Sequence, residues 1–134
     1  MRASRLRSQA LAAFAAASLF AVGCGGSDEE DIKDAIKEIA AAAKDKDYGK
    51  VCDGFTDKVR KQFESRGRQT GGGDCAKFLQ KLDKAGASKR IGAPDNVEFE
   101  KVTVKGDSAT VKIKDQPQPT KLVKEDGDWK VGLE

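Results

Sequence analysis

The chain has 134 residues and a mass of 14.4 kDa, room for one folded domain but not for two independent cores. Aromatic residues are scarce at 6%, charged residues make up 35%, and histidine is absent. That excludes a Ser-His or Cys-His nucleophile and an imidazole metal site, and the composition excludes collagen, coiled coil and a polytopic membrane protein.

The first segment reads as an export signal rather than part of the fold. Arg2, Arg5 and Arg7 make a positive start, and Ala10 to Val22 is an uncharged run of 13 residues. That run is too short for a bilayer-spanning helix of about 20 residues but suits the apolar region of a signal peptide. Ala21-Val22-Gly23-Cys24 resembles a bacterial lipobox, with Ala21 where Leu is usual. The resemblance implies a signal peptide over 1–23 and a lipidated Cys24. Residues 24–27 would be the anchored cysteine and a short Gly25-Gly26-Ser27 tether, on a protein held at the outer face of the bacterial cell membrane or envelope. An uncleaved anchor, or an ordinary signal with a cysteine nearby, is the alternative. The whole formal excess of +3 resides in the three arginines, so the remaining chain is neutral and nucleic-acid binding loses its main support.

The domain is expected over 28–134. Ser27 with Glu30 fits a capping box, and Asp28 to Asp31 fill a first helical turn where the helix dipole favours negative charge. Ile32, Ile36, Ile39, Ala40 and Ala43 then trace one face of a helix to about Lys44. A short helix around Tyr48–Asp53 follows the polar break Asp45-Lys46-Asp47. Thr56 can cap a helix running to about Ser65, and Arg66 to Gly73, with four glycines, reads as a loop. Asp74 can cap a further helix carrying Cys75, Phe78, Leu79 and Leu82, and Lys84 to Asp95 reads as irregular.

The second half changes period from 3.6 to 2. Val97 to Val104 is strand-like, and a bulge near Glu100-Lys101 would put Val97, Phe99, Val102 and Val104 on one face and curve the sheet. Ala109, Val111 and Ile113 alternate with polar residues in a second strand. The prolines of Gln116-Pro117-Gln118-Pro119 mark a connection or sheet edge, and Thr120 to Glu125 is a third strand. Asp126-Gly127 signals a hairpin turn, after which Trp129, Val131 and Leu133 alternate inward. The reading is α+β: three N-terminal helices packed on one face of a curved antiparallel sheet.

With Cys24 assigned to lipid, Cys52 and Cys75 remain. Each lies on an apolar stripe at helical spacing, and an exported protein sits where disulfides persist. A bridge between packed helices would contribute on the order of 3 kcal/mol. Two buried free thiols are the main alternative; a metal or redox pair lacks further ligands or a Cys-x-x-Cys spacing.

The chain resembles the nuclear transport factor 2-like cone-fold superfamily, in particular its small bacterial lipoproteins. The residues that carry the resemblance are the helix Ile32–Ala43, Asp47-Tyr48-Gly49-Lys50-Val51-Cys52, Phe55-Thr56 and Asp74-Cys75-Ala76. Val102-Thr103-Val104-Lys105-Gly106-Asp107-Ser108-Ala109-Thr110-Val111 and Leu122-Val123-Lys124-Glu125-Asp126-Gly127-Asp128-Trp129-Lys130-Val131 complete them. The resemblance implies helices closing over a concave sheet as a cone, often with a pocket that could take a small apolar ligand, and homodimers are common. It implies no particular chemistry.

Three motifs need weighing. Gly71-Gly72-Gly73 lacks the Lys-Ser/Thr of a phosphate loop, and Glu125-Asp126-Gly127-Asp128 lacks the spread of a calcium loop. Lys58 to Arg90 holds ten basic and three acidic residues. Lys58, Arg60, Lys61, Lys77, Lys81 and Lys84 are therefore the candidate face for an anionic envelope component, with ordinary solvated helix surface as the alternative. No catalytic residue, metal ligand or cofactor is assigned, and Tyr48 is expected to pack near the start of its helix. The functional reading is a membrane-anchored, non-catalytic binding or interaction module; the alternative is a pocket enzyme of the cone-fold isomerase or dehydratase kind.

Overall fold

Each helix starts on a side chain that caps it. A computed structural model describes residues 27–87 and 96–133. Cys24, Lys89, Arg90 and the signal peptide expected over 1–23 lie outside the described residues, as does most of the 84–95 connection. The helices are α1 (Asp28–Lys44), α2 (Tyr48–Asp53), α3 (Asp57–Gln69) and α4 (Cys75–Lys84). Ser27, Asp47, Thr56 and Asp74 accept from the backbone N–H groups of Glu30, Lys50, Val59 and Lys77, satisfying donors that the first turn leaves unpaired.

The strands β1 (Phe99–Lys105), β2 (Ser108–Ile113), β3 (Thr120–Glu125) and β4 (Asp128–Gly132) form an open antiparallel meander in the order β1-β2-β3-β4. The β1–β2 register shifts between Phe99 and Lys101, the site expected for a bulge. Across that shift Phe99 pairs with Ile113, Val102 with Val111 and Val104 with Ala109, so all three share the inward face. The core joins that face to α1: Ile32 and Ile36 cluster with Ala109, Val111, Ile113, Leu122 and Trp129, and Val97, Phe99, Val102 and Val131 pack around them. The architecture is α+β, helices first and antiparallel sheet second.

Several expectations need correction. The described residues form four helices rather than three, because the short Tyr48–Asp53 helix expected from the sequence is a separate element with its own cap. α3 continues four residues beyond Ser65, through Gly67, into the expected loop. Gly67 is buried in that helix: a Cβ there would sit 3.0 Å from the Gly73 carbonyl oxygen and 3.3 Å from the Phe78 Cβ. This glycine permits close approach of the α3–α4 connection and does not end the helix. Val104 and Leu133 were expected to be covered but are 36% and 51% exposed. Val104 lies near the far end of β1 and Leu133 follows the last residue of β4, where alternation persists but cover by the helices is incomplete.

The free edge of β4 is covered by the α2–α3 connection. Phe55 bridges Val131 in parallel, the Thr56 N–H donates to the Val131 carbonyl at 3.0 Å, and the Val131 N–H donates to the Gly54 carbonyl at 2.8 Å. These bonds use groups that an edge strand would otherwise present for association.

Candidate functional site

α1 presents three different sides. Ile32 and Ile36 point to the core, and Lys33 and Lys37 carry their ammonium groups to 6.0 Å from the Phe99 ring. The third side holds Asp31, Asp34, Glu38 and Asp45, at spacings that recur on one helical stripe, with Ala35, Ile39 and Ala42 beside them. This side faces α2 and the β3–β4 turn across a groove of about 900 Å³. The opposite wall comes from Asp47, Lys50, Asp53 and Gly54, and the end from Gly127, Asp128, Trp129 and Lys130.

Seven carboxylates and two lysines line the groove. Asp47 is partly engaged, accepting from the Lys50 N–H at 3.2 Å with the Lys50 ammonium at 3.7 Å. Asp34 lies 3.6 Å from Lys37, and Asp53 lies 3.9 Å from Arg60. These pairs are exposed and contribute little to stability. Four of the carboxylates, Asp31 to Asp45, are spread along α1 and its C-cap over about 21 Å, above an aliphatic floor. Such a surface can hold positive charge and cover an apolar stem. Among the described residues no three His, Cys, Asp or Glu side chains converge to hold a metal ion.

Other linkages fix the groove walls. Cys52 and Cys75 form a disulfide with Cα atoms 6.3 Å apart, tying α2 to α4. At the opposite end of α2 the Tyr48 hydroxyl donates to Asp83 at 2.5 Å. That hydrogen bond raises the Tyr48 pKa, since a phenolate would lose it beside a carboxylate. Tyr48 is thus a pin along α4 and does not line the groove. Asp28, at the start of α1, accepts from Lys124 at 3.0 Å and from the Trp129 indole at 3.4 Å. The Lys124 hydrogen bond leads in holding the Asp28 carboxyl below its usual range.

The six residues expected to form a basic face are divided between two helices, Lys58, Arg60 and Lys61 on α3 and Lys77, Lys81 and Lys84 on α4. Lys77, Lys81 and Lys84 recur at spacings of four and three along α4 and are exposed. Lys77 lies 3.8 Å from Asp74, and Lys81 donates to the Thr70 carbonyl. Arg60 is paired with Asp57 as well as Asp53, and the hydrogen bond to Asp57 raises its pKa. Lys61 is exposed on α3, whereas Lys58 borders a separate hollow of about 350 Å³ with Thr56, Thr110 and Lys121.

The acidic groove was not anticipated. Its signal was present in the spacing of Asp31, Asp34, Glu38 and Asp45 beside the apolar stripe, but the pairing with α2 and the β3–β4 turn depends on tertiary packing. Comparison with known protein families, curated proteins and solved structures finds no match to this chain.

Proposed function

We propose that this chain is an exported, lipid-anchored binding module of the cone-fold type, which takes a cationic ligand in the groove between α1, α2 and the β3–β4 turn. The carrying observation is the excess of carboxylates around an aliphatic floor. Ammonium or guanidinium groups would pair with the walls while a methylene stem covers Ala35, Ile39 and Ala42. Helix α1 over a sheet bulged in β1 supports the cone reading. The dispersed carboxylates favour binding over a pocket reaction, which needs convergent groups around one reacting atom.

Anchoring rests on the Arg-rich start, the apolar run and Ala21-Val22-Gly23-Cys24. A tether of three residues reaches roughly 10 Å, holding the start of α1 near the headgroups. The shared exposed face of Lys77, Lys81 and Lys84 supports a second contact, with an anionic envelope component. That contact must weaken with salt.

Calorimetry with spermidine as probe tests the groove. The chain beginning at Ser27 should bind it at low salt, and Asp34→Asn with Glu38→Gln should weaken binding about tenfold. Absence of binding, or equal binding by the variant, would refute the groove as a cation site.

A further inference from the structure

The two walls of the groove are held by different parts of the molecule. The α1 wall is fixed by the core, in which Ile32 and Ile36 pack with Val111, Leu122 and Trp129, and neither Cys52 nor Cys75 belongs to that cluster. The opposite wall belongs to α2, a helix of six residues, well short of the roughly 12–15 that an isolated helix needs. Its position therefore depends on what it is tied to.

At its start, Tyr48 donates to Asp83 of α4 at 2.5 Å. Beyond its end, Gly54 accepts from, and Thr56 donates to, the Val131 backbone. Gly54 also lies so close to Ile39 of α1 that a Cβ there would overlap its side chain. Cys52 supplies a covalent tie, to Cys75 at the first residue of α4. Cys52 is buried, whereas Asp47, Lys50 and Asp53 are exposed and line the groove. Lys50 and Asp53 lie about 160° and 100° round the helix from Cys52. The bond thus turns the apolar side of α2 towards α4 and its charged side towards the groove.

We propose that the Cys52–Cys75 bond is a redox control on the groove: closed, it completes the α2 wall; opened by a dithiol reductant, it releases that wall and weakens cation binding. This rests on the groove being a cation site and adds its regulation. One thiolate of the reductant attacks the Cys52 sulfur, the Cys52–Cys75 bond breaks, and its electron pair leaves on the Cys75 sulfur at the start of α4, where the helix dipole favours a thiolate. The second thiolate of the reductant attacks the mixed disulfide, frees Cys52 and closes the reductant's own disulfide. Two electrons pass to the protein, and both cysteine thiolates take up through water the protons that the reductant gave up. Cys52 and Cys75 are each 5% exposed, so attack requires α2 to move from α4 first. A cation bridging both walls opposes that movement. The coupling is reciprocal: the factor by which closure strengthens cation binding is the factor by which the cation protects the bond. In an exported chain the bond closes where disulfides persist, so export itself completes the groove.

Calorimetry with spermidine at low salt compares the oxidised and the dithiothreitol-reduced forms of the chain beginning at Ser27, which carries every helix and strand described above. The reduced form should bind about tenfold more weakly. Circular dichroism checks that α1 and the sheet stay folded. If the reduced chain unfolds, Cys52→Val with Cys75→Ala, which fills apolar space without the bond, takes its place. Equilibration with reduced and oxidised dithiothreitol reads the same coupling independently: saturating spermidine should lower the reduction potential of the bond by about 30 mV, the equivalent of tenfold. Asp34→Asn with Glu38→Gln should show a smaller shift at the same spermidine concentration. Equal affinity in the linked and unlinked forms, or a potential that spermidine leaves unmoved, would overturn the redox control while leaving the cation site intact. No binding by the oxidised chain would refute the cation site and the control with it.

Discussion

Replacing Gly54 with alanine should destabilise the domain by steric conflict alone. Gly54 has φ −77°, a conformation alanine adopts without strain. An added Cβ would overlap the Ile39 Cγ1 and Cδ1 atoms. Ile39 cannot move aside at low cost, because a β-branched side chain in a helix has one strongly preferred χ1 rotamer. Overpacking of this kind costs about 1–3 kcal/mol, and reduced freedom of the unfolded chain offsets about 0.4–1 kcal/mol of it. The net loss should be about 1–2 kcal/mol, which for a domain of roughly 100 residues lowers Tm by about 4–16 °C. Urea unfolding of the chain beginning at Ser27 measures the loss directly. Ile39→Ala removes both overlapped atoms, so the double variant Gly54→Ala/Ile39→Ala should be more stable than additivity of the single changes predicts. Unchanged or increased stability in Gly54→Ala would refute the close packing of α1 against the α2–α3 connection.

Three further outcomes follow from the linkages described above. Thiol counting on denatured, unreduced protein should find Cys52 and Cys75 unreactive, and Cys52→Ser with Cys75→Ser should cost about 3 kcal/mol in urea unfolding; ready labelling of both thiols would exclude the bridge. The lowered Asp28 pKa contributes stability that is present above its ordinary value of 3.8 and is lost as pH falls through the lower folded value. Asp28→Asn should therefore reduce the acid-dependent loss of stability across that window, and an unaltered pH–stability profile would count against the Lys124 contact. Intact-mass analysis of the membrane fraction should find a chain beginning at a lipid-modified Cys24; an unmodified Cys24 or retained Met1 would end the anchoring proposal.

The sheet was legible because its residues repeat a simple physical pattern. Ala109, Val111 and Ile113 alternate inward, Asp126-Gly127 makes the expected turn, and the parity change in β1 appears as a register shift. Caps at Ser27, Thr56 and Asp74 were equally legible, since each is a short oxygen-bearing side chain before an amphipathic run. Gly67 was misread because composition cannot distinguish a glycine that ends a helix from one required by close packing. Val104 and Leu133 retain strand alternation, but coverage at the end of a strand depends on where the helices lie. The acidic groove combines both cases: its α1 stripe could be read locally, whereas its opposite wall is set by the disulfide-linked α2 and the β4 edge contact.

The central claim is that this groove recognises positive charge, and an amide correlation spectrum recorded during spermidine titration tests it most directly. Salt-sensitive shifts should be concentrated along residues 31–45, 47–54 and 127–130. Saturating shifts confined to other residues, or no shifts at low salt, would contradict it.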